Sequence, residues 1–493
     1  MSDAAAAPAP GADPAGPETA AARPSPWRVD RALLLVVAGL TVLGLGIRWY
    51  NILEVRPICD PPRSRDVPTC FDLYAGTNDP LYGHLQARLI ADGHWFVNPF
   101  TAISQPEDVP FPERALAYEP SGPFVDSVGD PPVYQLFLAA ASALGFESGQ
   151  SHRLLSALVG VSVVPLTALL ALRLASRRAA IAAAAIAAVH PLLWINDGML
   201  LSEAVYAPLV ALALVLTYWF RDGPSPRRAA ALGFVVMLAA HTRAEAMVLV
   251  PMLVLPAVLG LRRRSWRQRG ALLGAAAAAS AALFVPWNAY LNTKFDRPVL
   301  MTAASGAVLH ASACDEHFYG AELALFIYCP ADVEIPPDAD EAERDALVRD
   351  AAIEYLRDHA RRLPVVVAAR VLRMWDLYGV QGNLNMNIGV EDRGRLPSRT
   401  GLWTYYALLP LAAAGAASMR HRRLPVWPLL TVAVMVTITA ALTFGLTRYR
   451  VPADVMLVAL GAVGLDAITR WVQARRAGRR DGGSARPSAA APG

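Results

Sequence analysis

Six windows of the chain hold no Asp, Glu, Lys or Arg: 154–172, 179–196, 204–220, 270–293, 400–419 and 424–447. A helix needs about 20 apolar residues to cross a bilayer core. Charged side chains are the costliest groups to place there. This patterning reads as an all-α polytopic membrane protein. Candidate spans are 33–50, 153–173, 178–196, 203–220, 228–242, 245–261, 270–290, 401–419, 424–445 and 450–469, about ten by the length criterion. Composition agrees: 17% of the 493 residues are charged, against about 25% in soluble domains. A soluble enzyme, a disordered regulator and a collagen-like or disulfide-scaffold protein are excluded. The net charge of +4 is small, and no basic block is interleaved with aromatics, so no nucleic-acid partner is expected.

The segments organise around these spans. Residues 1–26 are Ala/Pro-rich and read as a disordered cytoplasmic tail. Residues 27–470 form the transmembrane domain, and 471–493 read as a basic disordered tail. Basic residues stay on the cytoplasmic side of short loops. One alternating set of short loops holds Arg173, Arg177, Arg178, Arg221, Arg227, Arg228, Arg262, Arg263, Arg264, Arg267, Arg269, Arg420, Arg422 and Arg423. The other holds only Arg243, Arg448 and Arg450. The first set therefore belongs in the cytoplasm, with both termini. Residues 131–146 are apolar but short. Counting them as a crossing would invert every later loop, so they read as a juxtamembrane helix on the outer face. Residues 51–152 and 291–400 are then large extracytoplasmic loops, and within the second, 338–362 and 364–378 read as further helices. All four cysteines fall in these loops, one pair in each. Disulfides persist in such a compartment, which predicts Cys59–Cys70 and Cys314–Cys329.

Polar residues collect at the outer ends of the spans. Transporters instead place polar groups at the midplane of broken, repeated helices. Asp79 precedes Pro80 and an apolar run, which suits an N-cap as well as a carboxylate base. Asp130 opens the juxtamembrane segment, with Tyr134 close behind. Glu203 starts a span, where a carboxylate facing lipid would be expensive. Arg243 and Glu245 share a tight outer turn. Arg448, Tyr449 and Arg450 form a basic outer turn, against the positive-inside trend, and paired arginines suit phosphate recognition. No HExxH, P-loop, GxSxG or Cys/His metal spacing occurs.

Several stretches, in order and spacing, resemble the C-type membrane glycosyltransferases, the superfamily of protein O-mannosyltransferases, aminoarabinose transferases and oligosaccharyltransferases. They are NDPLYGHLQARLIADGHWFVNP, GDPPVYQLFLAAASALGF, HRLLSALVGVSVVPLTALLALRLASRRAA, LSEAVYAPLVALAL, HTRAEAMVLVPMLVLP and TRYRVPADVML. The resemblance implies transfer of a sugar, with inversion, from a polyprenyl-phosphate donor to a glycan, glycolipid or protein acceptor at the outer face of a bacterial plasma membrane. It implies Asp79 as base, Asp130 and Glu203 as further site carboxylates, and Arg243, Arg448, Arg450, Tyr134 and Tyr449 as donor contacts. Two departures leave the base open between Asp79 and Asp130. Asn78-Asp79 stands where the family often has an acidic pair, and Asp130 stands where it has a histidine. No organic cofactor is implied. A divalent metal is implied only for some relatives, with Asp79, Asp130 and Glu203 as oxygen donors here. The competing readings are a lipid or sugar transporter or flippase, and a non-catalytic envelope-assembly scaffold.

Overall fold

The computed structural model describes residues 27–59, 70–73, 79–103, 118–326, 329 and 333–483. The expectation for residues 1–26, and for Asn78, lies outside them. Within the described residues the protein is helical, with isolated bridges and no named strand. The helices used below are α1 (Arg31–Tyr50), α2 (Asp79–Ala91), α3 (Pro132–Ala143), α4 (Gly149–Gly160), α5 (Val163–Leu174) and α6 (Arg177–Val189). They continue with α7 (Glu203–Asp222), α8 (Pro226–Ala240), α9 (Trp266–Leu291), α10 (Glu341–Asp358), α11 (Arg395–His421), α12 (Trp427–Leu442) and α13 (Val451–Gly483).

Side-chain caps fix several starts by satisfying free N–H groups. Asp30 accepts from Leu33 N–H, Ser225 from Arg228 N–H and Asp340 from Glu343 N–H, while Ser265 and Gln268 form a capping box. Among the described residues, five stretches are long and apolar enough to cross a membrane: Arg31–Val55, Gly149–Leu174, Glu203–Asp222, Trp266–Leu291 and Thr447–Ala477. A sixth candidate is the bent pair Arg177–Val189 and Pro191–Met199. Of the remaining expected spans, 245–261 and 424–445 fall on the shorter apolar helices Ala244–Leu259 and Trp427–Leu442, 228–242 on α8 and 401–419 on α11, and none of these four meets the length and hydropathy of a crossing helix. The expected span 178–196 is not straight: it turns by 69° at His190–Pro191. Proline lacks the N–H that would continue the helix and disfavours helical geometry in the residue before it. The last helix runs on to Gly483, past residue 470, because Ala and Arg are good helix formers.

Burial sorts the helices into centre and periphery. In α7 and the last span, 78% and 83% of the apolar window is inside the protein; in α1 and α9 the figures are 17% and 11%. The centre is built from small residues. On α6, Ala179, Ala180, Ala183, Ala184, Ala187 and Ala188 are all buried. Helices α11 and α13 touch backbone to backbone. A Cβ on Gly415 would lie 2.0 Å from Leu460 O, and one on Gly464 2.0 Å from Leu411 O. Small residues permit such approaches in lipid, where packing drives association.

Charged residues gather at two opposite ends. At one end, Asp222 takes Arg173 and the Trp27 indole, Arg177 pairs with Asp30, and Arg422 donates to Leu174 O. Glu203 lies at the other end of this twenty-residue helix, α7, which is about 30 Å long at 1.5 Å per residue. That distance matches the hydrocarbon thickness. The loop sets separated by their arginine content thus have structural counterparts at the two ends.

One buried ion pair ties α1 to the segment after the bend. Arg48 Nε lies 2.6 Å from Asp197 Oδ2, with both side chains almost fully buried, and its Nη atoms donate to Gly44 O and Leu193 O. Replacing Arg48 by Met leaves a buried carboxylate alone, at an expected cost of about 3–5 kcal/mol. The thermal midpoint of purified Arg48→Met should fall accordingly, and the double variant with Asp197→Leu should recover most of it. Equal loss in both variants would show that the pair is not the cause.

Candidate functional site

The site lies where short segments join the helices. Asp79 is the first residue of α2, and its side chain is 69% exposed. Leu200 sets up Glu203 by taking a left-handed conformation, φ 54°. A leucine adopts this only where packing imposes it, and here Leu200 is buried with Phe71, Leu73 and Met199. Residues 129–131 carry Asp130 into α3. That helix start is pinned by Val133 N–H, which donates to His241 O in the turn after α8. The same turn supplies Arg243. The 3-10 turn Thr447–Arg450, just before α13, supplies Arg448.

These residues meet. Glu203 Oε1 accepts from Arg243 Nη1 at 2.9 Å and from Arg448 Nε at 2.6 Å. Arg448 reaches on to Asp79, Nη1 to Oδ2, at 3.1 Å. Arg243 also pairs with Glu245 at 2.6 Å, and its guanidinium lies over the Tyr449 ring, 5.4 Å from the centroid. Glu203 is buried, and its second oxygen has no hydrogen-bond partner. Asp130 faces solvent yet is ringed by protein, as on the floor of a cleft. That partial desolvation, then the nearby Asp79 carboxylate, pushes its carboxyl up to about 6, against the pull of Arg243 and Arg448. Gln135 Nε2 donates to Asp130 Oδ2 at 3.4 Å.

Two expected contacts lie elsewhere. Arg450 turns away from the carboxylate cluster. It pairs with Asp376 at 2.6 Å, approaches Asp454 at 3.4 Å, and stacks 3.6 Å from the Tyr405 ring centroid. The two arginines of this turn are not adjacent on one face, so one points to the cleft and the other into the bundle. Tyr134 points inward from α3, with its hydroxyl 3.0 Å from Ser156 Oγ. Both expected disulfides are formed, Cys59–Cys70 and Cys314–Cys329.

The carboxylates do not suit a metal ion. Asp79 and Glu203 aim their oxygens at Arg448, and a second cation there would face two guanidinium groups. Among the described residues, no group of three or more His, Cys, Asp or Glu is arranged to hold a metal.

Residues outside the sequence motifs complete the surroundings. Glu341, at the start of α10, accepts from Val128 N–H at 2.6 Å and from Ser127 Oγ at 3.1 Å. Burial pushes its carboxyl up to about 7. Tyr82 lies on the same network, 2.8 Å from Ser127 Oγ. The stretch Glu391–Arg395 reaches the cleft from the second large loop, with Arg393 fully buried. Its only sequence signal is a run of charge next to Gly394.

Residues 129–319 match the family model of dolichyl-phosphate-mannose-protein mannosyltransferases, in accord with the resemblance to C-type membrane glycosyltransferases. Several solved structures are similar to this chain, two of which follow. One is an oligosaccharyltransferase of Archaeoglobus fulgidus in complex with zinc and sulfate, at 15% identity and TM-score 0.49, covering 89% of this chain and 50% of that one. The chain therefore spans half the length of that relative. The other is ArnT of Cupriavidus metallidurans bound to undecaprenyl phosphate, at 13% identity and TM-score 0.39, covering 90% of this chain and 79% of that one. No curated protein matches the sequence.

Proposed function

We propose, from the premise that residues 129–319 carry the pattern of the dolichyl-phosphate-mannose-protein mannosyltransferase family, that this protein is an inverting membrane glycosyltransferase. Its donor is a sugar on a polyprenyl phosphate, and its acceptor is a hydroxyl of an envelope glycan, glycolipid or protein at the outer face. One observation carries the reading. Five segments far apart in sequence bring Asp79, Asp130, Glu203, Arg243 and Arg448 together at one end of the bundle. Two of the carboxylates, Asp79 and Asp130, are open to solvent.

In this mechanism Asp79, an exposed carboxylate, takes the proton of the acceptor hydroxyl. The acceptor oxygen forms the new bond at the anomeric carbon, and the bond from that carbon to the phosphate oxygen breaks. The electron pair leaves with the phosphate, and cations beside the cleft stabilise the developing charge. Arg448 is the donor-side candidate, with Arg243 behind it. Asp130 accepts hydrogen bonds from hydroxyls of the transferred sugar, and the buried Glu203 holds Arg243 and Arg448 in place behind it. The lipid phosphate is the leaving group, so no nucleotide takes part, and no step runs through a metal. The excess of arginine at the opposite end supports an outward-facing site.

The test is transfer of labelled sugar from polyprenyl-phosphate donors to envelope extracts by purified, reconstituted protein. Absence of transfer with every donor and extract would overturn the reading in favour of a transporter or scaffold. A pH dependence is also expected. Desolvation and the Asp79 carboxylate push the Asp130 carboxyl up to about 6, and its ionised form is the stronger acceptor for sugar hydroxyls. Transfer should therefore be full above pH 7 and fall as pH drops through 6. Asp130→Asn should be slower at neutral pH and should lose that limb. Retention of the limb in the variant would assign it to another group.

A further inference from the structure

The turn that carries Arg448 to the carboxylate cluster is four residues long, Thr447–Arg450. A short 3-10 segment has poor hydrogen-bond geometry of its own, so its direction depends on what holds it. At the head of the Arg448 side chain, Glu203 and Asp79 accept from it. In the mechanism above, the contact with Asp79 weakens when that carboxylate receives the acceptor's proton and loses its charge. A hold that stays constant through the reaction has to act on the turn itself.

Asp376 supplies that hold. It lies in the second large loop, two positions past the helix Leu363–Met374, and is 3% exposed. Its carboxylate takes both ends of the turn. Oδ2 accepts from Arg450 Nη1 at 2.6 Å, and Oδ1 accepts from Thr447 Oγ1 at 3.3 Å. Oδ1 also accepts from Asn383 Nδ2 at 2.8 Å. The backbone of Asp376 is fixed as well. Its N–H donates to Arg373 O at 2.8 Å, and its carbonyl accepts from the Tyr406 hydroxyl of α11 at 2.6 Å. Its φ of 50° is left-handed, a conformation that Asp and Asn adopt more readily than most residues. Arg448 stands between the two clamped ends, so a buried carboxylate of the second loop sets where it starts from.

We propose that Asp376 is a positioning residue for sugar transfer: by clamping both ends of the turn Thr447–Arg450, it keeps Arg448 aimed at the site while Asp79 changes its protonation. This rests on the reading of function above and adds a residue that acts through Arg448. Asp376 touches neither the sugar nor the acceptor, since its oxygens face the turn rather than the carboxylate cluster.

The experiment measures kcat and KM for transfer to envelope extract by the full chain in nanodiscs, with a panel of labelled undecaprenyl-phosphate hexoses and pentoses as donors. Wild type, Asp376→Asn, Arg448→Gln and the double variant are compared below their thermal midpoints. Asn keeps the left-handed backbone and an acceptor for Thr447 and Asn383, and removes the charge facing Arg450. Asp376→Asn should lower kcat about 10- to 100-fold, the worth of a misplacement of about 1 Å, with KM for the donor unchanged. In the Arg448→Gln background the same change should alter kcat by no more than about 2-fold, because residues that act through one another are not additive. Thr447→Val removes the other end of the clamp without stranding a buried charge, so it carries the test should Asp376→Asn fail to fold. It should lower kcat by about 2- to 10-fold, the worth of one hydrogen bond, and have no effect when residue 448 is Gln. Losses that multiply in the double variants would make Asp376 a general structural residue and overturn the assignment. So would wild-type kcat in Asp376→Asn, or a raised KM at unchanged kcat. No transfer by wild type with any donor of the panel would overturn the reading of function itself.

Discussion

Asp79→Asn should lower sugar transfer by about 10²- to 10⁴-fold, the usual worth of a general base, with donor affinity unchanged. The variant is informative because little else depends on this carboxylate. Its side chain is 69% exposed, and its one ion pair is with Arg448, which also holds Glu203. An exposed pair of this kind contributes little to stability, so the variant should fold and melt as wild type does. The amide keeps the size of the side chain and its place at the start of α2, and removes its charge and with it the ability to accept a proton. Transfer at the wild-type rate would sink Asp79 as the base and move the role to Asp130. Loss of donor affinity together with transfer would mean that Asp79 shapes the donor site rather than receiving a proton.

The largest stability effect expected in the cleft belongs to Glu203. Its side chain is 1% exposed, and one oxygen receives both Arg243 and Arg448. Glu203→Gln leaves two partly buried guanidinium groups facing each other, with Glu245 and the exposed Asp79 as remaining partners. Breaking a buried pair from one side costs about 3–5 kcal/mol, which should appear as a clear drop in thermal midpoint. Arg448→Gln should cost less, because Glu203 keeps Arg243. If both variants melt alike, Glu203 is not the hub of the network. Transfer by Glu203→Gln should also fall, since Arg448 would no longer be held toward Asp79.

The site was largely readable from the chain because its members sit at breaks between apolar runs. Asp79, Asp130, Glu203, Arg243 and Arg448 each interrupt or flank a hydrophobic stretch, where an ionisable residue is conspicuous. Cysteine parity revealed the disulfides for a similar reason. What escaped depended on the three-dimensional path. Arg448 and Arg450 look equivalent in sequence, and only the turn before α13 sends one to the cleft and the other to Asp376. Arg393, Glu391 and Glu341 lie in a long loop where charge is ordinary, so nothing local marks them. The pairing of Arg48 with Asp197 spans 149 positions and arises because the chain bends at His190–Pro191. Hydropathy marked the apolar stretch 178–196, but the helix break and its direction belong to local backbone chemistry.

The two large loops are joined crosswise. Arg56 and Asp126 of the first meet Asp392 and Lys294 of the second, and Glu341 grips the backbone at Val128. Each loop therefore supplies part of the other's scaffold, and the cleft is a joint product of both. The cleft is then not a module that can be grafted by exchanging one loop with a relative. A chimera carrying a foreign 51–152 alone would lose partners for its own 291–400, whereas transplanting both together would keep the crosswise contacts. Over evolutionary time the two loops are expected to change in step, and diversification of this scaffold proceeds by paired rather than single exchanges.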